Sequence, residues 1–123
     1  MKQIIFTENA PEAIGPYSQA VLSNGTLYVS GQIALAKVEA GANIEEETKQ
    51  IMENMKVILE AAKMTFNNVV KCTIFVKDMN NFAAINGVYG KYFPVNPPAR
   101  ETVEVARLPK DVNVEISCVA VVG

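Results

Sequence analysis

Near its end the chain reads Val112-Asn113-Val114-Glu115-Ile116-Ser117-Cys118-Val119-Ala120-Val121-Val122, and this stretch decides the fold. Side chains of a strand alternate between its two faces. Ile116, Cys118, Ala120 and Val122 fall on one face, and Val119 and Val121 on the other. Asn113, Glu115 and Ser117 continue that second face. Helices of a short chain cover one side of a sheet, so a sheet apolar on both sides must bury the second against something else. In 123 residues that cover is another copy of the chain, which predicts a homo-oligomer. Glu115 then points toward the partner.

Working outward from this strand, Arg100–Ala106 reads as its neighbour, started by the stiff Pro97-Pro98 and joined through Arg107-Leu108-Pro109-Lys110-Asp111. Gln3–Phe6 is a short apolar strand, Ser18–Leu22 and Thr26–Ile33 flank the hairpin pair Asn24-Gly25, and Val69–Val76 is rich in β-branched residues. Asn43 caps a helix with Glu46 at the capping-box position, and Ile44, Thr48, Ile51, Met55, Ile58, Leu59 and Ala62 form its apolar stripe. Asp78 or Asn80 caps a second helix carrying Phe82, Ile85, Tyr89 and Phe93 at helical spacing, with Gly87 and Gly90 read as allowing close approach to the sheet. The order is β-β-β-α-β-α-β-β: one α+β domain over residues 1–123, a mixed sheet with two helices on one face.

Composition narrows the chemistry. The chain has 11 Lys+Arg against 13 Asp+Glu, a net charge of −2, and no His. Ser-His-Asp triads, Cys-His pairs and His-ligated zinc are therefore excluded. A pI near 5.1 and the absence of Trp argue against nucleic acid as a partner. Cys72 and Cys118 are far apart in sequence and lie in β-branched runs, where buried free thiols are the expectation; that fits a reducing cytoplasm. The opening residues lack a signal peptide's apolar stretch, and no apolar run approaches a membrane span.

Three clusters carry candidate chemistry. Arg100, Thr102, Glu104 and Ala106 share a strand face. If Arg100 and Glu115 share a sheet face near a subunit boundary, they make a cation and a carboxylate in one cleft, the guanidinium being suited to a substrate carboxylate; the bland alternative is a structural cross-strand ion pair. Gly15-Pro16-Tyr17-Ser18-Gln19 sets a tyrosine after a rigid turn, either functional or an anchored aromatic with a solvated hydroxyl. Ser30-Gly31-Gln32 ends a strand with a glycine, which permits close approach of a ligand or marks a bulge. The phosphate-cradling glycine pattern and the paired acids of glycosidases are missing.

Together Ala13-Ile14-Gly15-Pro16-Tyr17-Ser18-Gln19-Ala20, Tyr28-Val29-Ser30-Gly31-Gln32-Ile33, Phe82 to Tyr89, Pro98-Ala99-Arg100, Val103 to Asp111 and Val114-Glu115-Ile116 resemble the Rid family, the YjgF-like imine/enamine deaminases, from Thr7 to the last residues. The resemblance implies chorismate-mutase-like subunits in a homotrimeric barrel with a cleft at each subunit boundary. It also implies hydrolysis of 2-imino acids, or enamines such as 2-aminoacrylate released by pyridoxal-phosphate enzymes, to 2-oxo acids and ammonia, with no cofactor and no metal. Carried over, Arg100 clamps the substrate carboxylate, Glu115 handles water or the proton of the leaving ammonia, and Tyr17 reaches in from the adjoining subunit. Ser30, Gly31, Asn86 and Thr102 line the pocket. The chain departs from the family at Glu101 and Thr102, where a small residue and a cysteine are common; Glu47 and Lys63-Met64 also differ and read as surface or capping changes. Two other classes stay open, a non-catalytic trimer that binds small acids and regulates a partner, and a ribonuclease or translation inhibitor.

Overall fold

The computed structural model describes all 123 residues. Six strands form one mixed sheet: β1 (Gln3–Ile5), β2 (Ala20–Ser23), β3 (Thr26–Gln32), β4 (Val69–Val76), β5 (Ala99–Glu104) and β6 (Val114–Val121), ordered β1-β2-β3-β6-β4-β5. All neighbours are antiparallel except β4 and β5, which run parallel. The parallel pair needs a crossover, and α3 (Phe82–Tyr89) supplies it. The hairpin of β2 and β3 turns on Asn24 (φ 51°) and Gly25 (φ 77°), the two left-handed positions that this dipeptide tolerates.

Helix α2 (Ile44–Ala61) starts with both halves of the capping box: the Glu46 N–H donates to Asn43 Oδ1 (2.9 Å), and the Asn43 N–H donates to Glu46 Oε1 (3.2 Å). Its face of Thr48, Ile51, Met52, Met55, Ile58 and Leu59 is fully buried, packed with Ile74, Val114, Ile116, Cys118 and Ala120 of the sheet. The opposite sheet face lacks a helix and presents Ile4 (52% exposed), Tyr28 (54%) and Val103 (41%). The two-sided reading of β6 thus has its structural counterpart.

Several expectations need correction. A third helix, α1 (Leu35–Glu39), follows β3; five residues with no capping side chain gave no periodic signal. Helix α3 is shorter than its apolar spacing implied, because a 3-10 turn (Gly90–Tyr92) intervenes before Phe93. Gly87 and Gly90 face open space rather than the sheet. Met64 is a core residue, 3% exposed, although Lys63 does hold the left-handed position after α2 (φ 61°).

Glu47 is not a surface residue either. It is completely buried, and its carboxylate accepts from the Asn113 backbone N–H (3.0 Å) and from Asn113 Nδ2 (2.7 Å). This clasp ties the first turn of α2 to the residue before β6, and so fixes where β6 starts. Glu47→Ala strands two part-buried donors of Asn113 and should lower stability by about 1–3 kcal/mol, more than Asn43→Ala, which removes a cap worth about 1 kcal/mol. Paired urea titrations of the two variants check that order.

Candidate active site

Strand register decides which side chains meet. In β4, Cys72 pairs with both Arg100 of β5 and Cys118 of β6, whereas Phe75 pairs with Val103 and Glu115. Adjacent partners point the same way and successive residues point oppositely. Arg100 therefore lies on the helix-covered face and Glu115 on the uncovered one. The expected sharing of a face does not hold within one chain, and neither does the structural Arg100–Glu115 ion pair. The chain's two salt bridges are Lys71–Glu101 (3.2 Å) and Lys77–Asp111 (3.0 Å).

Arg100 is half-buried on the edge strand. Its Nη1 donates to Asn86 Oδ1 (2.7 Å), and its guanidinium carbon stands 5.6 Å from the Phe82 ring centroid and 5.1 Å from that of Tyr89. The faces of both rings favour the cation. Phe82, Asn86 and Tyr89 recur at i, i+4 and i+7 along α3, so one helical stripe holds the arginine. Sequence reading placed the two aromatics in the core stripe; Asn86 between them was the signal of a different use. Thr102 lies on the same face, and the Thr102 and Tyr89 hydroxyls are buried without hydrogen-bond partners. Burial and the neighbouring Cys72 thiol push the Tyr89 phenol up. Burial likewise pushes up the Cys72 and Cys118 thiols, which makes both poor nucleophiles. Glu101 faces away from Arg100, held by Lys71 and by the Thr73 hydroxyl (3.0 Å).

Glu115 opens into a cleft of about 400 Å³ on the other face, lined by Ile14, Tyr17, Ser30, Gly31, Ile33 and Pro109. The β3–β6 register shifts between Val29 and Gln32, so Ser30 and Gly31 form a bulge against Ser117. A Cβ on Gly31 would stand 2.7 Å from Glu115 Cδ and 2.9 Å from its Cγ; the glycine makes room for the carboxyl. Burial pushes that carboxyl up, and no cation lies within salt-bridge reach. Ser30 donates its hydroxyl to the Ser18 carbonyl (2.6 Å) and its N–H to the Gln19 carbonyl (2.9 Å), which pins the turn carrying Tyr17. Gln19 completes that anchoring: its Nε2 donates to the Thr7 (3.1 Å) and Pro11 (2.9 Å) carbonyls, and its Oε1 accepts from the Thr7 N–H (2.8 Å). Tyr17 is 48% exposed, and its hydroxyl accepts weakly from the Ile14 N–H (3.4 Å). Of the sequence-derived residues, Tyr17, Ser30, Gly31 and Glu115 come together, Arg100, Asn86 and Thr102 come together, and the two groups do not meet within the chain.

No cluster of His, Cys, Asp or Glu is placed to hold a metal, and no helix is long and apolar enough to cross a membrane. Fold and residues define a protein of the YjgF/L-PSP class. The Endoribonuclease L-PSP family description matches residues 7–122. The human 2-iminobutanoate/2-iminopropanoate deaminase is 45% identical over 126 residues, covering 100% of this chain and 92% of that protein. A RutC family protein of Pyrococcus horikoshii is 50% identical over 124 residues, 98% of each chain. Among solved structures, the conserved Rid family protein YyfA of Yersinia pestis superposes with a TM-score of 0.91 at 44% identity, covering 99% of this chain and 100% of that one. E. coli TdcF with bound serine superposes with a TM-score of 0.91 at 40% identity over 98% and 99% of the chains. The chain belongs to the Rid (YjgF/L-PSP) family.

Because the folded-state Glu115 carboxyl titrates above its ordinary value, its ionised form opposes folding at neutral pH. That cost disappears as pH falls through the raised value toward the ordinary one near pH 4. Glu115→Gln should therefore raise the melting temperature at pH 7 and lose the advantage at about pH 4, read by thermal melts across pH. Gly31→Ala, which drives a methyl into the same carboxyl, should lower the melting temperature, and pairing it with Glu115→Ala should restore part of the loss.

Proposed function

We propose that the protein hydrolyses 2-imino acids, and the enamines that tautomerise to them, to 2-oxo acids and ammonia. The observation that carries this reading is Arg100. It is a half-buried guanidinium with one side-chain hydrogen bond, to Asn86, and no carboxylate partner. A half-buried charge with no counterion in its own chain is suited to an incoming anion, which it can take with two parallel hydrogen bonds. The human relative's name, a deaminase of 2-iminobutanoate and 2-iminopropanoate, supports a small 2-imino acid as that anion.

The half-sites on opposite sheet faces combine when identical chains pack with the β5 edge of one copy against the uncovered face of the next, so that Arg100 and Asn86 of one copy stand opposite Glu115, Tyr17, Ser30 and Gly31 of the next. We assign this packing to a homotrimer, in keeping with the exposed Ile4, Tyr28 and Val103. Arg100 holds the substrate carboxylate and Asn86 holds Arg100. The iminium carbon is already electrophilic, so orientation and proton transfer suffice. Glu115, its carboxyl pushed up by burial, takes a proton from the attacking water. The C–O bond forms as the C=N π pair moves to nitrogen; Glu115 returns the proton to that nitrogen, the C–N bond breaks as a lone pair of the hydroxyl oxygen closes the C=O bond, and the remaining hydroxyl proton leaves with the amine as ammonium. Tyr17 orients the water, and Thr102 offers its unpaired hydroxyl beside the guanidinium.

The experiment follows release of 2-oxo acid and ammonia from an imino acid generated in situ by an amino-acid oxidase. Wild type should accelerate release, and Arg100→Ala should lose on the order of 2–5 kcal/mol of kcat/KM. Arg100→Lys should recover little of it, since a point charge replaces a planar fork. Equal acceleration by wild type and Arg100→Ala would sink the proposal, as would saturable 2-oxo acid binding with no turnover. Sedimentation should give three times 13.4 kDa.

A further inference from the structure

The connection from β5 to β6 holds two consecutive left-handed residues. Lys110 has φ 56° and Asp111 has φ 57°, inside the short 3-10 turn Pro109–Asp111. A Cβ disfavours that region, and lysine lacks the short polar side chain that lets asparagine and aspartate adopt it. Such a conformation persists only where its surroundings over-determine it. Here both ends of the turn are anchored: Leu108 is 5% exposed and Val112 is completely buried. The Asp111 N–H donates to the Leu108 carbonyl (3.0 Å), and the Val112 N–H donates to the Pro109 carbonyl (3.3 Å).

A residue outside the turn holds it twice. Lys77 directly follows β4. Its N–H donates to the Asn113 carbonyl (2.9 Å), which carries the β4–β6 ladder one step beyond Val76 and Val114. Its Nζ lies 3.0 Å from Asp111 Oδ1. Lys77 therefore grips the end of the turn from the strand whose Phe75 pairs with Glu115. Both partners of the ion pair are exposed, so it adds little to global stability and its effect is local. Of the turn's three residues, Pro109 lines the Glu115 cleft. Turning Lys110 or Asp111 out of the left-handed region redirects the chain beside Pro109 and so alters a wall of that cleft.

We infer that Lys77 is a positioning residue for the proposed reaction: by holding the Lys110-Asp111 turn left-handed, it fixes Pro109 as a wall of the cleft in which Glu115 meets the attacking water. The inference rests on the deaminase reading. Arg100 and Asn86, which take the substrate carboxylate, belong to the other half-site. Loosening the Pro109 wall therefore acts on the water and the proton rather than on capture, and its effect falls on kcat more than on KM.

The test measures kcat and KM for the imino acid generated from alanine by an amino-acid oxidase, together with amide hydrogen exchange by NMR. Lys77→Met keeps the apolar stem and removes the charge. It should lower kcat by roughly two- to five-fold, leave KM within about twofold, and speed exchange of the Asp111 and Val112 amides by a factor similar to the loss in kcat. Lys77→Arg, which keeps the charge, should retain most of kcat. Lys110 is exposed and forms no salt bridge, and glycine adopts the left-handed region freely, so Lys110→Gly alone should match wild type. In Lys77→Met/Lys110→Gly the turn no longer needs the ion pair, and both kcat and exchange should return toward wild type. Unchanged kcat or unchanged exchange in Lys77→Met overturns the positioning role and leaves the deaminase reading standing. So does a loss that Lys110→Gly fails to repair, including a loss of trimers seen by sedimentation. If wild type hydrolyses no imino acid, the deaminase reading falls and the positioning role falls with it.

Discussion

The pairing of β4 with its two neighbours constrains everything functional in this molecule. Cys72 is opposite Arg100 on one side and Cys118 on the other, while three residues further along Phe75 is opposite Val103 and Glu115. A strand cannot turn two such odd- and even-numbered positions to one side. The cation and the acid therefore stand on opposite faces of one sheet, and no rotamer change brings them together. The chemistry proposed above needs two chains for a geometric reason, in addition to the thermodynamic one supplied by the uncovered apolar face.

Each half-site is built by a different device. On the helix side, the stripe Phe82, Asn86, Tyr89 grips the guanidinium from the crossover that parallel β4 and β5 require. On the open side, a one-residue bulge at Ser30-Gly31 brings backbone close to Glu115 without a Cβ in the way. Ser30 and Gln19 then pin the turn that carries Tyr17. The Glu47–Asn113 clasp sets the start of β6 and hence the position of Glu115 two residues on. Residues far from the reacting atoms thus fix the site through the backbone.

Much of this was legible in the sequence. Alternation located both faces of β6, Asn24-Gly25 located the hairpin, and the Asn43/Glu46 box located the start of α2. Val69–Val76 has the same bounds in sequence and structure. The candidate residues were legible as types: an arginine after a proline pair, a glycine ending a strand, a lone glutamate on an apolar strand. What alternation within one strand cannot reveal is the relative phase of two strands, which depends on which partner lies between them. The assumption that Arg100 and Glu115 share a face failed there. Helix α1 escaped because five residues are too few for a helical period. Glu47 was misjudged because its partner, Asn113, is 66 residues away, and nothing local signals that a glutamate is satisfied by a distant amide.

Two inactive variants provide the most direct test of a site divided between copies. Arg100→Ala retains the Glu115 half-site, and Glu115→Gln retains the Arg100 half-site. Subunits of the two, dissociated and reassembled together, should form mixed trimers in which about a quarter of the boundaries join two intact halves. Deaminase activity should then rise well above that of either parent, with exchange verified by native mass spectrometry. Mixed trimers that form and remain as inactive as their parents would contradict the account.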